Sequence, residues 1–189
     1  MSITLVTGPA RSGKSEWAED LAKKAAKKSA QQLVYIATAQ RNLDDAQWQA
    51  RIEKHIQRRS QAWRCVEVPM DLSEAIARYT SSHCLLIDSL GTWLANSMAQ
   101  SDDEWQTSQA NLVAALSQTE ATVILVAEET GWGVVPAYEL GRTFRDRLGT
   151  LSRRVGELST DVYLVTSGYA INLAQLGQSI GNCYSSDDN

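Results

Sequence analysis

Cysteine is scarce in this chain, and its spacing argues against a disulfide framework. The 189 residues include three cysteines, Cys65, Cys84 and Cys183, and no Cys-x-x-Cys pair. An odd number of cysteines, two of them within apolar strand-like runs, does not fit the pattern of small secreted domains. We expect reduced cysteines in the core of a cytoplasmic protein.

Long apolar runs, a leader pattern and an excess of positive charge are also missing. No stretch approaches the roughly 20 apolar residues that cross a membrane as a helix, and the first residues lead directly into a strand-like segment. The net charge of −4 argues against a general nucleic-acid binder. We therefore expect a soluble protein with no membrane span and no nucleic-acid partner. The basic cluster Lys23, Lys24, Lys27 and Lys28 is most simply a solvated helix end.

Short apolar runs alternate with segments of helical periodicity along most of the chain. This alternation predicts a single α/β domain of the phosphate-loop NTPase type, with a mostly parallel sheet and helices on both faces. We place the domain at residues 1–176 and expect the polar tail, residues 177–189, to fray. The predicted strands are 3–7, 33–36, 64–68, 84–87, 123–127 and 162–166; the predicted helices are 17–26, 43–59, 71–79, 104–116 and 142–158.

A glycine-rich loop near the start of the chain carries the strongest functional signal. Residues 8–15, Gly-Pro-Ala-Arg-Ser-Gly-Lys-Ser, fit the phosphate-binding pattern Gly-x-x-x-x-Gly-Lys-Ser/Thr between a predicted strand and a predicted helix. Glycines let backbone N–H groups surround phosphates, and the following helix presents its positive end to them. Lys14 is expected to reach the β- and γ-phosphates and Ser15 to ligate Mg²⁺. The alternative is a glycine turn without a ligand.

An acid at the end of a buried strand supplies a second candidate. Asp88 follows the apolar run Cys84–Ile87, and in phosphate-loop enzymes such an acid holds Mg²⁺ beside the loop. The competing interpretation makes Asp88 the N-cap of the next helix. The phosphate loop favours the metal-binding role, because a nucleotide bound there shares Mg²⁺ with the protein.

The two histidines lie in different settings. His55 falls on the predicted helix 43–59 among Arg51, Lys54, Arg58 and Arg59. Cationic neighbours keep an imidazole neutral and therefore nucleophilic. On residue type alone, however, a surface histidine on a basic helix is the commoner interpretation. His83 precedes a strand and is predicted to be a loop residue.

A second glycine-bearing loop follows the strand 123–127. Residues 128–136 leave this strand at the edge where parallel sheets bind ligands, which predicts a substrate loop. Arg142, Arg145 and Arg147 come next, and either one of them stabilises phosphoryl charge or they form a solvated face.

Several segments together resemble one family, the bifunctional adenosylcobinamide kinase/adenosylcobinamide-phosphate guanylyltransferases of cobalamin biosynthesis. They cover most of residues 3–168 in the family's order, so the combination is far more specific than the loop alone. The matching segments are 7–15, 35–40, Asp44-Asp45, Arg51-Ile52-x-x-His55, Arg59, Trp63, 86–90, Thr92-Trp93-Leu94-x-Asn96, 129–136 and Arg142-x-Phe144-Arg145-Asp146-x-x-Gly149.

The resemblance implies a phosphate-loop fold, a homotrimer and two reactions. Members phosphorylate adenosylcobinamide with ATP or GTP, then transfer GMP from GTP to the phosphorylated product through a guanylyl-histidine. It implies His55 as the nucleophile, Lys14 as a second catalytic residue, and Ser15 and Asp88 as the residues that hold Mg²⁺. The nucleotide-binding residues that it implies are Gly8, Pro9, Ala10, Arg11, Ser12, Gly13, Lys14, Ser15, Ala37, Thr38, Ala39, Ile56, Gln57, Arg58, Arg59, Glu67 and Asp88.

The chain departs from the family's usual pattern at three places. Ser60 stands where the family commonly has proline, Ser152 where it has asparagine, and the segment after Ser167-Gly168 contains no lysine. These departures leave the nucleotide-binding residues in place. They concern the part of the site that faces the corrinoid substrate, adenosylcobinamide. Two alternatives stay open: a member with one of the two activities, and a nucleotide-dependent switch protein without catalysis.

Overall fold

The computed structural model describes residues 2–40 and 62–180, which contain one seven-stranded sheet. The strand order is β3-β2-β4-β5-β1-β6-β7, and all neighbours pair in parallel except β6 and β7. The predicted mostly parallel sheet is therefore confirmed. The strands are β1 (Ser2–Gly8), β2 (Gln32–Ala37), β3 (Trp63–Glu67), β4 (His83–Asp88), β5 (Thr122–Glu128), β6 (Asp161–Thr166) and β7 (Tyr169–Asn172).

Four of the predicted helices are confirmed, and two helices were not predicted. The predicted helix 43–59 lies outside the described residues. The four confirmed helices are α1 (Lys14–Ser29), α2 (Leu72–Ala77), α4 (Asp102–Gln118) and α5 (Glu139–Leu158); the two additional ones are α3 (Leu90–Asn96) and α6 (Leu173–Leu176). None of the helices within residues 2–40 and 62–180 has the length and apolar character needed to cross a bilayer.

Strand β7 was not predicted, because the sequence indicates it mainly through the two-residue turn that precedes it. Ser167 and Gly168 have φ angles of 50° and 81°, and positive φ at both central residues is the geometry of the tight hairpin turn that matches strand twist. Thr166 consequently pairs with Tyr169, and the chain reverses to add an antiparallel edge strand.

The sheet has a separate apolar core on each face. On one face, Val6, Leu86 and Val126 pack against Ala18 and Ala22 of α1, whose small side chains let the helix lie close to the strands. On the other face, the strands pack against apolar side chains of α2, α3, α4 and α5. This arrangement confirms the prediction of helices on both sides of the sheet.

The predictions for cysteine and lysine side chains are confirmed in part. Cys84 is buried, its thiol lies 3.7 Å from the carbonyl oxygen of Ala22, and burial raises the pKa of this thiol to about 12. Cys65 is exposed, so the expectation of a core position is wrong for it, because β3 is an edge strand. Cys183 lies outside the described residues. The basic cluster Lys23, Lys24, Lys27 and Lys28 toward the C-terminal end of α1 is exposed, as expected.

Candidate active site

The glycine-rich loop lies between β1 and α1, as its sequence context predicts. Gly13 is the N-cap of α1 with φ of 90°, and Arg11 also has a positive φ of 60°. The Ser12 amide donates to the Pro9 carbonyl oxygen at 3.3 Å and closes the turn. The loop therefore leads directly into the positive end of a 16-residue helix, which is a favourable place for an anion.

Gly8 is required by a close backbone approach. A Cβ atom at this position would overlap the Val165 carbonyl oxygen of the neighbouring β6, and it would lie 2.9 Å from the Ser12 hydroxyl. The first glycine of the motif thus packs the start of the loop against the sheet, and a side chain here would push the loop away from β6.

Lys14 and Ser12 direct polar groups into the loop. The Lys14 side chain is 8% exposed, and its ammonium donates to the Pro9 carbonyl oxygen at 3.3 Å. The Ser12 hydroxyl is buried without a hydrogen-bond partner in the described part of the chain. An unsatisfied hydroxyl and a buried ammonium in the same loop, at a helix start, fit a bound phosphate group, which would accept hydrogen bonds from both.

Three of the predicted nucleotide-binding residues align in one row across the sheet. Ala37 at the end of β2 is the register partner of Glu67 on β3 and of Asp88 on β4. Thr38 and Ala39 follow Ala37 directly. The carboxyl ends of parallel strands form the ligand-binding edge of such sheets, so the structure brings these residues to the same edge as the phosphate loop.

Asp88 is held by a tyrosine of the neighbouring strand. The Tyr35 hydroxyl donates to Asp88 Oδ2 at 2.9 Å. The alternative that Asp88 caps the next helix is wrong, because Ser89 is the N-cap of α3 and its hydroxyl accepts from the Thr92 amide at 3.2 Å. Asp88 is still part of β4 and keeps its carboxylate at the strand end.

Thr38 uses its side chain to hold the residue after Asp88. Its buried hydroxyl donates to the Ser89 carbonyl oxygen at 2.7 Å and accepts from the Ser89 amide at 2.8 Å. The Asn96 side chain in turn donates to the Thr38 carbonyl oxygen at 2.7 Å. The family resemblance predicts nucleotide binding for Thr38, and in the structure its hydroxyl fixes the start of α3.

Glu128, the last residue of β5, was not singled out in the sequence. Its two carboxylate oxygens accept hydrogen bonds from the Ser89 hydroxyl at 2.6 Å and from the Gly91 amide at 3.0 Å. The signal was available, because Glu128 follows the apolar run Val123–Ala127 in the same way as Asp88 follows Cys84–Ile87. The same rule applied to both strands would have found it.

The residues at this edge fit a magnesium ion that is shared with phosphates. Ser15 on α1 and Asp88 on β4 offer oxygen ligands, and within residues 2–40 and 62–180 no group of three or more His, Cys, Asp or Glu side chains forms a complete cage. Mg²⁺ typically takes one or two protein ligands and completes its shell with phosphate oxygens and water. Ser15 and Asp88 would hold it here.

The remaining predicted site residues lie elsewhere or outside the described chain. His55, Ile56, Gln57, Arg58 and Arg59 fall within residues 41–61, which the structure does not describe. His83 is the first residue of β4, not a loop residue. It lies at the sheet edge opposite to the phosphate loop, and its Nδ1 contacts the Thr80 and Ser82 hydroxyls.

The loop after β5 begins beside the phosphate loop and is strongly exposed. The Glu129 amide donates to the Gly8 carbonyl oxygen at 2.9 Å, while Trp132 and Val134 are 66% and 96% exposed. Arg142 donates to the Ala137 carbonyl oxygen at 2.7 Å and thereby holds the end of the loop.

Arg147 forms a salt bridge with Asp102 at 2.8 Å, and its side chain is only 10% exposed. The prediction of a solvated face is therefore wrong for Arg147.

Comparison with known proteins gives consistent matches along nearly the whole chain. Three relatives are named bifunctional adenosylcobalamin biosynthesis protein: CobU of Escherichia coli strain K12, 37% identical over 90% of this chain and 99% of its own length; CobP of Pseudomonas aeruginosa PAO1, 36% identical over 89% and 95%; and CobU of Salmonella typhimurium strain LT2, 35% identical over 90% and 99%.

Solved structures are similar at a lower level. The flagellar accessory protein FlaH from Methanocaldococcus jannaschii superposes with a TM-score of 0.47 at 15% identity, covering 90% of this chain and 75% of that one. The KaiC-like protein PH0186 from Pyrococcus horikoshii gives 0.45 at 17% identity, covering 86% and 70%. Residues 4–173 match the model of one protein family, and together with the relatives above this shows that the chain belongs to the cobinamide kinase / cobinamide phosphate guanyltransferase family.

Proposed function

We propose that this protein catalyses two nucleotide-dependent steps of cobalamin biosynthesis. In the first, it phosphorylates adenosylcobinamide with ATP or GTP. In the second, it transfers GMP from GTP to the phosphorylated product, which gives adenosylcobinamide-GDP and pyrophosphate. The observation that carries the proposal is the phosphate loop with its buried Lys14 and unsatisfied Ser12 hydroxyl, in a chain whose family match extends from residue 4 to residue 173.

The kinase step needs binding and orientation more than covalent chemistry. Backbone amides of the loop between Ala10 and Ser15 and the Lys14 ammonium hold the phosphates. The substrate hydroxyl oxygen forms a bond to the γ-phosphorus while the bond to the β,γ-bridging oxygen breaks. The nucleoside diphosphate leaves, and the hydroxyl proton passes to water. Mg²⁺ bound by Ser15 and Asp88 would neutralise charge on the phosphate oxygens.

The guanylyl step needs a nucleophile, and we assign this role to His55. A neutral imidazole nitrogen forms a P–N bond to the α-phosphorus of GTP while pyrophosphate leaves. A phosphate oxygen of adenosylcobinamide phosphate then attacks the same phosphorus, and the P–N bond breaks to release His55. The cationic neighbours Lys54, Arg58 and Arg59 support this role because they are close in sequence and favour binding of the leaving pyrophosphate.

Isotope position tests the covalent step. GTP carrying radioactive phosphorus at the α position should label the protein, and GTP labelled at the γ position should not. A phosphoramidate is expected to survive alkali and to be lost in mild acid, and the label should be absent from His55→Asn. Label from the γ position, or label that persists in His55→Asn, would contradict the assignment.

A second experiment separates the two activities. His55→Ala should lose guanylylation and keep phosphorylation of adenosylcobinamide, because the kinase step uses the phosphate loop and not a covalent side chain. Equal loss of both activities in a variant that still binds GTP would contradict two separate steps.

The proposal extends to assembly and location. We propose that residues 1–176 act as one catalytic unit, that the protein forms a homotrimer, and that it works in the cytoplasm. Trp132, Val134 and Tyr138, which are close together in the chain, are each more than 60% exposed, and they support an assembly because exposed apolar side chains are commonly buried at interfaces. Light scattering coupled to size-exclusion chromatography measures the oligomer, and a monomer at micromolar concentration would contradict the trimer.

A further inference from the structure

Glu128 lies between the two parts of the candidate active site. Its register partner on β1 is Gly8, the first residue of the phosphate loop, and the adjacent Glu129 amide donates to the Gly8 carbonyl oxygen at 2.9 Å. On its other side β5 pairs with β4, where Val126 is the partner of Asp88. The end of β5 therefore separates the strand that leads into the phosphate loop from the strand that carries the acid.

Both carboxylate oxygens of Glu128 are directed toward the segment that follows Asp88. Oε1 accepts from the hydroxyl of Ser89 at 2.6 Å, and Oε2 accepts from the amide of Gly91 at 3.0 Å. Ser89 is only 2% exposed. Hydrogen bonds to an ionised acceptor are stronger than neutral ones, so Glu128 fixes the start of α3 relative to β5.

The opposite side of the same segment is fixed by β2 and the residue after it. The Tyr35 hydroxyl donates to the Asp88 carboxylate, and the Thr38 amide donates to the Asp88 carbonyl oxygen at 3.3 Å. Thr38 also bonds both backbone groups of Ser89. Asp88 and Ser89 are thus held from β2 on one side and by Glu128 on the side that faces the phosphate loop.

Gly91 is matched to Glu128. A Cβ atom at position 91 would overlap Oε2 of Glu128, so only glycine lets the carboxylate reach the amide of α3. The two residues are 37 positions apart in the chain. The contact therefore requires both the carboxylate of Glu128 and the absence of a side chain at position 91.

We propose that Glu128 is a positioning residue that sets the distance between the phosphate loop and Asp88, and thereby the affinity of the site for a divalent cation bound with a nucleotide. The proposal rests on the proposed nucleotide chemistry, in which Asp88 helps to hold the metal. Glu128 acts through Ser89 and Gly91. Its loss is expected to leave the phosphate loop in place and to loosen Asp88.

The test measures metal binding directly. Mn²⁺ is titrated into protein that carries the α,β-methylene analogue of GTP, which cannot transfer its guanylyl group, with no corrinoid present to accept the γ-phosphoryl group. Free Mn²⁺ is quantified by electron paramagnetic resonance. Glu128→Ala should weaken Mn²⁺ binding about tenfold, the lower end of the usual effect of residues that orient metal ligands. Binding of the analogue without metal should stay at the wild-type value, and Asp88→Asn should shift Mn²⁺ binding in the same direction.

Glu104→Ala is the matched control. Glu104 also accepts from a serine hydroxyl, at 2.9 Å, and from a backbone amide at the start of a helix, at 2.8 Å, both of Ser101. Glu104 caps the start of α4 and takes part in none of the hydrogen bonds around Asp88. Glu104→Ala should therefore leave Mn²⁺ affinity unchanged, and an equal weakening in this variant would overturn the proposal.

A double-mutant cycle tests the contact itself. Gly91→Ala should weaken Mn²⁺ binding in the wild type, because the methyl group displaces the carboxylate. In the Glu128→Ala background it should have no further effect on Mn²⁺ and should raise Tm, since alanine favours a helix more than glycine. The same effect of Gly91→Ala in both backgrounds would overturn the proposal.

The outcomes also separate this proposal from the proposed function. Wild-type protein that binds Mn²⁺ with the analogue but transfers no phosphoryl or guanylyl group contradicts the function alone. Wild-type Mn²⁺ affinity in Glu128→Ala contradicts the positioning role alone. If Glu128→Ala does not fold, Glu128→Gln keeps the side-chain volume and should show a smaller weakening; wild-type affinity there would equally overturn the role.

Discussion

Tyr35 and Asp88 are joined across the β2–β4 pair by a 2.9 Å hydrogen bond from the phenolic hydroxyl to the carboxylate. Tyr35 is itself buried, with its ring in edge contact with Trp63 at a centroid distance of 6.3 Å. A packed ring has little freedom, so the position of its hydroxyl is fixed by the core beneath α1. The core thereby orients the carboxylate that is proposed to hold the metal.

Tyr35→Phe removes this hydrogen bond and keeps the ring. We expect the free energy of unfolding to fall by about 1 kcal/mol and the Mg²⁺ concentration for half-maximal turnover to rise. Chemical denaturation and a metal titration measure the two effects. Tyr163→Phe, on β6, is the control for loss of a hydroxyl, and its Mg²⁺ requirement should stay at the wild-type value. A wild-type Mg²⁺ requirement in Tyr35→Phe would contradict the orienting role.

Lys14→Ala should abolish nucleotide-dependent turnover and leave the fold largely intact. The ammonium bonds to the loop's own Pro9 carbonyl, so its removal disturbs the loop and not the two cores. Turnover assays and thermal unfolding measure the result. Lys23→Ala removes the same charge from an exposed position of α1 and should keep full activity. Normal turnover in Lys14→Ala protein free of wild-type enzyme would refute the role of the loop.

Two glycine substitutions are expected to have opposite effects on stability. Gly8→Ala places a methyl group against the Val165 carbonyl and should lower the free energy of unfolding by about 1–3 kcal/mol. Gly149→Ala lies on the exposed side of α5 with no atom within 4 Å of the new methyl, and should raise it by roughly 0.5–1 kcal/mol. Urea unfolding measures both changes. If the two substitutions changed the free energy of unfolding in the same direction, the packing described for Gly8 would be contradicted.

The buried thiol of Cys84 predicts a loss of stability at high pH. Burial raises its pKa in the folded protein from 9.0 to about 12. At pH 7 the thiol is neutral in both states, and its contribution to stability is complete. Between about pH 9 and pH 12 the unfolded chain alone ionises, so unfolding becomes more favourable by at most about 1.4 kcal/mol per pH unit.

Comparison with Cys84→Ala isolates this contribution. The difference in unfolding free energy between the wild type and Cys84→Ala should shrink as the pH rises from 9 toward 12. A difference independent of pH would contradict the burial of the thiol. Peptide mapping after treatment with iodoacetamide should find Cys65 modified in the native protein and Cys84 modified only after unfolding.

The sequence predicted the regular part of the sheet well. Six strands are correct to within two residues at each end, because fully buried parallel strands are short runs of Val, Ile and Leu with clear boundaries. The edge strand β7 is only partly buried and contains Asn172 and Tyr169, so its composition carried no such signal. Helix α3 was missed as an element because its seven residues are too few to show periodicity.

The candidate site was predictable where backbone geometry requires particular residue types. Gly8, Gly13 and Lys14 form a pattern that the loop conformation itself demands. The contacts of Glu128 and Thr38 depend on which strands become neighbours, and the spacing in the chain does not contain that information. The role of His55 stays a prediction, since it falls outside the described residues.

The pairing of β1 has a consequence for how the protein is made. Ser2 pairs with Thr122 and Thr4 with Asp161, so both neighbours of this strand are synthesised more than a hundred residues later. Such distant pairings form slowly, because the intervening chain must first be organised. The loop that follows β1 therefore has no supporting strands in any nascent chain that stops before β5. Nucleotide binding is therefore expected only after β5 and β6 have been synthesised, and it can report the moment at which these strands take their places beside β1.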